Sequence, residues 1–137
     1  MKVFVCFGKN KKMKESICNY LEDLKCEIVL LDDCAGKGKT IIEKFECNSN
    51  VEKAIVLLSG DDELKPYGAR KDSKRKVARQ NVVFEFGYFV AKIGRENVIQ
   101  IIDKKDTVKL LSDIAGSEYI TFDKNGNWKR KLKKEII

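Results

Sequence analysis

The sequence predicts a doubly wound α/β domain, a five-stranded parallel sheet flanked by helices, filling residues 1–137. Three observations predict it. Five short apolar runs, VFVCF (Val3–Phe7), EIVLL (Glu27–Leu31), AIVLL (Ala54–Leu58), VIQII (Val98–Ile102) and YITF (Tyr119–Phe122), are rich in β-formers and nearly continuous. That pattern suits parallel strands covered on both faces. Helical patterns lie between the runs, and strand alternating with helix builds right-handed βαβ units. The length of 137 residues is that of one common domain with room for a real core.

The first strand, Val3–Phe7, leads into a helix over Lys12–Leu24, whose Met13, Ile17, Tyr20, Leu21 and Leu24 share one face. After Glu27–Leu31 comes a shorter helix, Thr40–Cys47, with Ile41, Ile42 and Phe45 apolar. Thr40 stands at its N-cap and Glu43 three residues on, the pairing of a capping box. Ala54–Leu58 is the third strand. The connection from Ser59 to Gln80 is long for a compact domain, and loops of that length are usually functional. Asn81–Ile93 reads as one apolar helix, Val108–Leu111 as a single turn between the last two strands, and Asn127–Ile137 as the closing helix. A unit of this size fits the flavodoxin-like strand order 2-1-3-4-5. Ligands in such sheets bind beyond the carboxyl ends of strands 1 and 3. That directs attention to Gly8–Lys11, Asp32–Lys39, Ser59–Arg79 and the start of the Asn81 helix.

Composition narrows the chemistry. Hydrophobic residues make up 43% and charged residues 36%, a globular mix. No stretch approaches the ~20 apolar residues of a membrane span, and the N-terminal MKVFVCFGKN lacks the features of a signal peptide. The five cysteines show no C-x-x-C spacing, as expected of reduced thiols in a cytoplasmic protein. Cys6, inside a strand, reads as a small core residue. With no histidine in the chain, Ser-His-Asp and Cys-His catalysis and histidine zinc sites are excluded. The net charge of +7 is clustered: Lys65–Arg79 carries seven bases against Asp72 alone. Such a patch is either a solvated loop or a seat for phosphate. The tail Lys129–Lys134 is also basic, but no aromatic beyond Trp128 accompanies it, which weakens a nucleic-acid reading.

Three motifs carry candidate chemistry. DCAGKGKT (Asp33–Thr40) ends like a P-loop but has Asp33 where the motif needs its first glycine, and it follows the second strand. It reads as a flexible loop before a capped helix. Asp61 and Asp62, at the carboxyl end of the third strand, are either plain surface or a seat for magnesium or ribose hydroxyls. Glu85 is an acid among Val82, Val83, Phe84, Phe86 and Phe89, on a stripe with Asn81, Tyr88 and Lys92. Either the stripe faces water, or a partly desolvated carboxylate awaits a cationic partner, such as a sugar developing positive charge.

GKGKTIIEKFE (Gly36–Glu46), AIVLLSGDD (Ala54–Asp62), ARQNVVFEFGYFVAKIGR (Ala78–Arg95) and DKNGNWK (Asp123–Lys129) together resemble the bacterial TIR-like domains of anti-phage defence effectors, of the TIR-STING and Pycsar TIR type. The resemblance covers nearly the whole chain. It implies a TIR fold and an NAD⁺ glycohydrolase that cleaves the nicotinamide–ribose bond, with NAD⁺ as substrate and no cofactor or metal. It implies activation by oligomer or filament formation when a sensor binds a cyclic-nucleotide signal. Glu85 matches the catalytic glutamate. Phe7, Gly8, Lys9 and Asn10 fall where the family contacts the dinucleotide, and Asp61, Asp62, Arg79 and Asn81 at the rim of the same pocket. Asp32–Lys39 matches the loop that docks neighbouring subunits. Phe7 departs from the pattern, since relatives often carry histidine there, and no sensor domain lies within these residues. Nicotinamide leaves as a neutral molecule from a cationic sugar, so one carboxylate suffices without a general acid. The rival readings are a nucleoside deoxyribosyltransferase-like enzyme with Glu85 as nucleophile, a non-catalytic TIR scaffold, and a nucleic-acid-binding module.

Overall fold

Strand β1 (Lys2–Cys6) sends Val3 and Val5 to one side of the sheet and Phe4 and Cys6 to the other, all four nearly inaccessible. A strand buried on both sides must lie inside a layered sheet. The computed structural model describes residues 1–105 and 118–137. In it the parallel sheet runs β2 (Glu27–Val29), β1, β3 (Lys53–Leu58), β6 (Val98–Asp103), β7 (Ile120–Phe122). This is the predicted order of the five sheet strands, and the α/β class and TIR-type architecture hold. The register sets Cys6 beside Val56, and Leu58 beside Ile102. The carboxyl ends of β1, β3 and β6 therefore open onto one edge, with the switch point between β1 and β3.

On one face, α1 (Lys11–Asp23) and α4 (Asn127–Ile136) bury Met13, Ile17, Leu21, Trp128, Leu132 and Ile136 against Val3, Val5, Ile55 and Ile101. On the other, α2 (Ile41–Cys47) and α3 (Gln80–Ile93) bury Phe45, Val82, Phe86 and Phe89 against Phe4, Cys6, Ala54 and Val56. Phe4 is the hub of that second face. Its ring lies 5.0 Å from Phe89 and 5.5 Å from Phe45, contacts each worth about 0.5–1.5 kcal/mol beyond the area they bury.

Three local features depart from the sequence expectations. Helix α1 starts one residue early, because Asn10 caps it by accepting from the Met13 N–H at 3.1 Å. The second strand stops at Val29, and Leu31–Asp33 forms a tight 3₁₀ turn instead. The connection from Ser59 to Gln80 is not wholly irregular: Asp62–Leu64 (β4) pairs antiparallel with Arg75–Val77 (β5) as a small hairpin. Its polar strands place Glu63 opposite Lys76, an opposite-charge cross-strand pair. The turn expected at Val108–Leu111 lies outside the described residues. No helix among the described residues is long and apolar enough to cross a membrane.

Candidate functional site

Glu85 sits in the second turn of α3, whose N-terminus lies at the carboxyl edge of the sheet. Its side chain is neither solvated nor sealed in. Burial pushes its pKa above the ordinary carboxylate value. The Cys6 thiol, by hydrogen bonding, and the Arg79 guanidinium, by charge, pull it back, and the Asp32 carboxylate pushes it up again. The Cys6 thiol is in turn held well above its usual value, first by burial and then by Glu85. The protonated Cys6 thiol therefore faces the Glu85 carboxyl and favours its ionised form against the effect of burial. Cys6 is the last residue of β1, so the carboxylate stands at the switch-point edge.

The stripe read from the sequence divides in two. Lys92 Nζ donates to Ser49 Oγ at 2.8 Å, and Ser49 Oγ donates to the Glu46 carbonyl at 2.7 Å. The Ser49 proton is thus committed, so Tyr88 OH donates to Ser49 across 3.0 Å. Tyr88 and Lys92 clasp the end of α2, while Asn81 is exposed in the first turn of α3. The expected aromatic walls are engaged elsewhere. Phe89 packs on Phe4 and Phe45, Phe86 lines a cavity beside Val98 and Ile99, and Phe84 is half exposed.

The remaining expected residues gather on the loops after β1 and β3. Lys14 Nζ lies 5.0 Å above the Phe7 ring, a cation–π contact. A Cβ added at Gly8 would come within 1.8 Å of Asp61 Oδ2, so a side chain there would have to displace that carboxylate. Asp61 Oδ1 accepts from the Lys9 N–H at 3.2 Å and from Ser59 Oγ at 2.7 Å. Lys9 Nζ reaches Asp62 Oδ1 at 3.4 Å. Asn10 is committed at both ends: Oδ1 caps α1, and Nδ2 donates to Asp103 Oδ2 at 2.7 Å. Arg79 provides the N-cap position of α3 and a positive field at Glu85.

The P-loop likeness dissolves. Gly36–Lys39 closes a tight turn in which Lys37 (φ 48°) and Gly38 (φ 74°) are both left-handed, and the Thr40 hydroxyl is occupied by Glu43 at 2.8 Å. Sequence reasoning read Cys6 as a core residue, and reached Asp32 and Ser59 only as ends of the segments Asp32–Lys39 and Ser59–Arg79, without their roles. A thiol inside an apolar strand looks like any core residue, and only the packing of α3 over β1 sets it against Glu85. Two large concavities, of about 1110 and 1040 Å³, lie away from Glu85: one between α3, β6 and α4, the other between α1 and α4, with Asn10 and Asp103 in its lining. Neither includes Glu85. Hydrogen bonding and the shifted carboxyl, rather than cavity size, mark the candidate site.

The model of the CAP12/Pycsar effector protein TIR domain matches residues 2–124. The chain belongs to this family. The TIR domain is 37% identical over 136 residues to the uncharacterized protein YuaY of Escherichia coli (strain K12), which aligns 98% of this chain with 44% of YuaY. It is 36% identical over 132 residues to protein tirC of Dictyostelium discoideum, covering 89% of this chain and 64% of tirC. Over 69 residues, or 50% of this chain and 22% of the relative, it is 35% identical to the Pycsar effector protein BcPycTIR of Burkholderia cepacia. The TIR domain thus spans 44% and 64% of the length of YuaY and tirC. The motif-based resemblance to TIR domains of anti-phage effectors holds at the level of the family. Helix α4 lies beyond the matched residues, yet buries Trp128, Leu132 and Ile136 in the same core.

Proposed function

We propose that this TIR domain cleaves the nicotinamide–ribose bond of NAD⁺ as part of an anti-phage effector, with Glu85 as the catalytic carboxylate. The observation that carries this reading is a half-buried carboxylate at the β1/β3 switch point, its pKa raised by burial and steadied by Cys6 and Arg79. A carboxylate partly stripped of water stabilises positive charge growing on a nearby ribose more strongly than a solvated one does. Nicotinamide departs neutral, so nothing need donate a proton. In this reading Gly8, Lys9, Asp62, Arg79 and Asn81 border the approach, with Arg79 already acting on Glu85 by charge. Phe7 is held against the α1-side core with Lys14 over its ring, so it acts by shaping the loop, which Asn10 also holds. Water completes the reaction by adding at the anomeric carbon.

Assembly through Asp32–Lys39 belongs to the same proposal, with a cyclic-nucleotide signal received outside this chain. The loop is exposed except at Cys34 and leads into Ile41, 76% exposed, and Ile42, 44% exposed, at the start of α2. Apolar residues uncovered beside a docking loop suit contact with a second copy. Because Asp32 also acts on Glu85 electrostatically, a neighbour docked on this loop would alter the field at the carboxylate. The test is to incubate the protein with NAD⁺ at rising protein concentration and follow nicotinamide. Release rising faster than protein concentration supports the reading. No release from NAD⁺, with base exchange on deoxynucleosides instead, would favour the deoxyribosyltransferase alternative.

A further inference from the structure

We infer that Asp61 is a positioning residue: its carboxylate clamps the Gly8–Lys9 turn onto the end of β3 and so sets the mouth of the site, rather than touching substrate. Its effect on turnover rests on the NAD⁺ reading above; the clamp itself does not.

Both carboxylate oxygens face protein. Oδ1 takes the Lys9 backbone N–H and the Ser59 hydroxyl. Oδ2 is buried without a hydrogen-bond partner and lies where a Gly8 side chain would begin. Gly8 is not among the left-handed residues, so it is the Asp61 carboxylate, not backbone conformation, that leaves no room for a side chain here. A substrate cannot reach Oδ2, which is buried beneath the Gly8–Lys9 segment, and Oδ1 is already taken by two protein donors. An unpaired buried carboxylate oxygen costs free energy. The Lys9 side chain adds a second tie between the two loops, its ammonium lying 3.5 Å from the Asp61 backbone carbonyl and 3.4 Å from Asp62 Oδ1. The clamp also reaches the chemistry. Cys6, which faces Glu85, is two residues before Gly8, so movement of the turn passes along the backbone to the partner of the catalytic carboxylate.

The test uses four variants of the whole chain: Asp61→Ala, Asp61→Asn, Gly8→Ala, and Gly8→Ala combined with Asp61→Ala. Gly8→Ala alone should lower the melting temperature by about 2–8 °C, as expected for loss of roughly one well-defined contact in a domain of this size. Without the Asp61 carboxylate the new methyl has room, so Gly8→Ala should cost less than half as much in the Asp61→Ala background. Strictly additive shifts would overturn the clamp. With NAD⁺, at matched assembly, Asp61→Ala should raise KM about tenfold with a smaller change in kcat, the pattern of lost binding rather than lost transition-state contact. Asp61→Asn keeps an acceptor for Lys9 and Ser59 and should recover most of that loss. An Asn variant as impaired as the Ala variant would mean that the charge itself acts on substrate, and the inference fails. The two readings fail separately: non-additive melting with no nicotinamide release from the wild type keeps the clamp and removes the NAD⁺ reading.

Discussion

At Glu85 two demands oppose each other. A carboxylate stabilises a cationic sugar best when water is excluded, yet exclusion of water favours the protonated acid, which stabilises nothing. The Cys6 thiol and Arg79 resolve this by favouring the ionised form. The acid limb of the pH–rate profile should therefore lie above the ordinary carboxylate value, at the raised Glu85 pKa. Cys6→Ala removes a group that lowers this pKa, so the limb should move to higher pH; a profile that stays put would remove Cys6 from the site. The sign for stability follows from linkage. A carboxyl whose folded pKa is raised contributes stability that is fully present below its unfolded value and lost as pH rises through the folded one. At neutral pH, Glu85→Gln should leave the melting temperature unchanged or raise it, which calorimetry would read. Glu85 was legible in the sequence because an acid interrupts an apolar helix. Cys6 and Ser59 were not, since their roles come from register between strands far apart in the chain.

Helices and strands were legible where burial imposes a period and obscure where charge does not. The continuous runs of β1, β3 and β6 are covered on both faces, so their sequences carry the signal. Strands β4 and β5, Asp62–Leu64 and Arg75–Val77, have no apolar face to announce them. Their backbone pairing alone makes the hairpin, and its bases (Lys65, Arg70, Lys71 and Lys74) lie between the two strands. Such a patch should bind DNA weakly, without sequence preference, and release it as salt rises, because counterion release supplies the affinity. Tight binding to one sequence at physiological salt, measured by fluorescence anisotropy, would overturn the enzyme reading. The end of α1 gives a second prediction. Lys25 occupies the left-handed position (φ 63°) after the helix, where Cys26 N–H bonds the Leu21 carbonyl and Lys25 N–H the Glu22 carbonyl. Glycine is favoured at that position. Lys25→Gly should therefore stabilise the fold by about 0.5–1 kcal/mol in urea unfolding; destabilisation would contradict this account of the helix end.

For the whole molecule, family and fold agree, and the proposed assembly is tested at its loop. Replacing Lys37 and Lys39, both exposed on the loop proposed to dock a second copy, with glutamate should suppress assembly and the steep concentration dependence of activity while leaving the monomer folded. A sedimenting monomer with activity linear in concentration would contradict assembly through this loop. Activity must therefore be compared at equal assembly before any residue is assigned a chemical role. The most direct measurement is nicotinamide release from NAD⁺ by wild type and Glu85→Gln at matched assembly state, with melting temperature as the control for folding. A carboxylate that stabilises developing charge predicts a loss of roughly 100-fold or more, with NAD⁺ affinity changed far less. Equal rates from equally folded and equally assembled proteins would contradict it and return Glu85 to the surface of its helix.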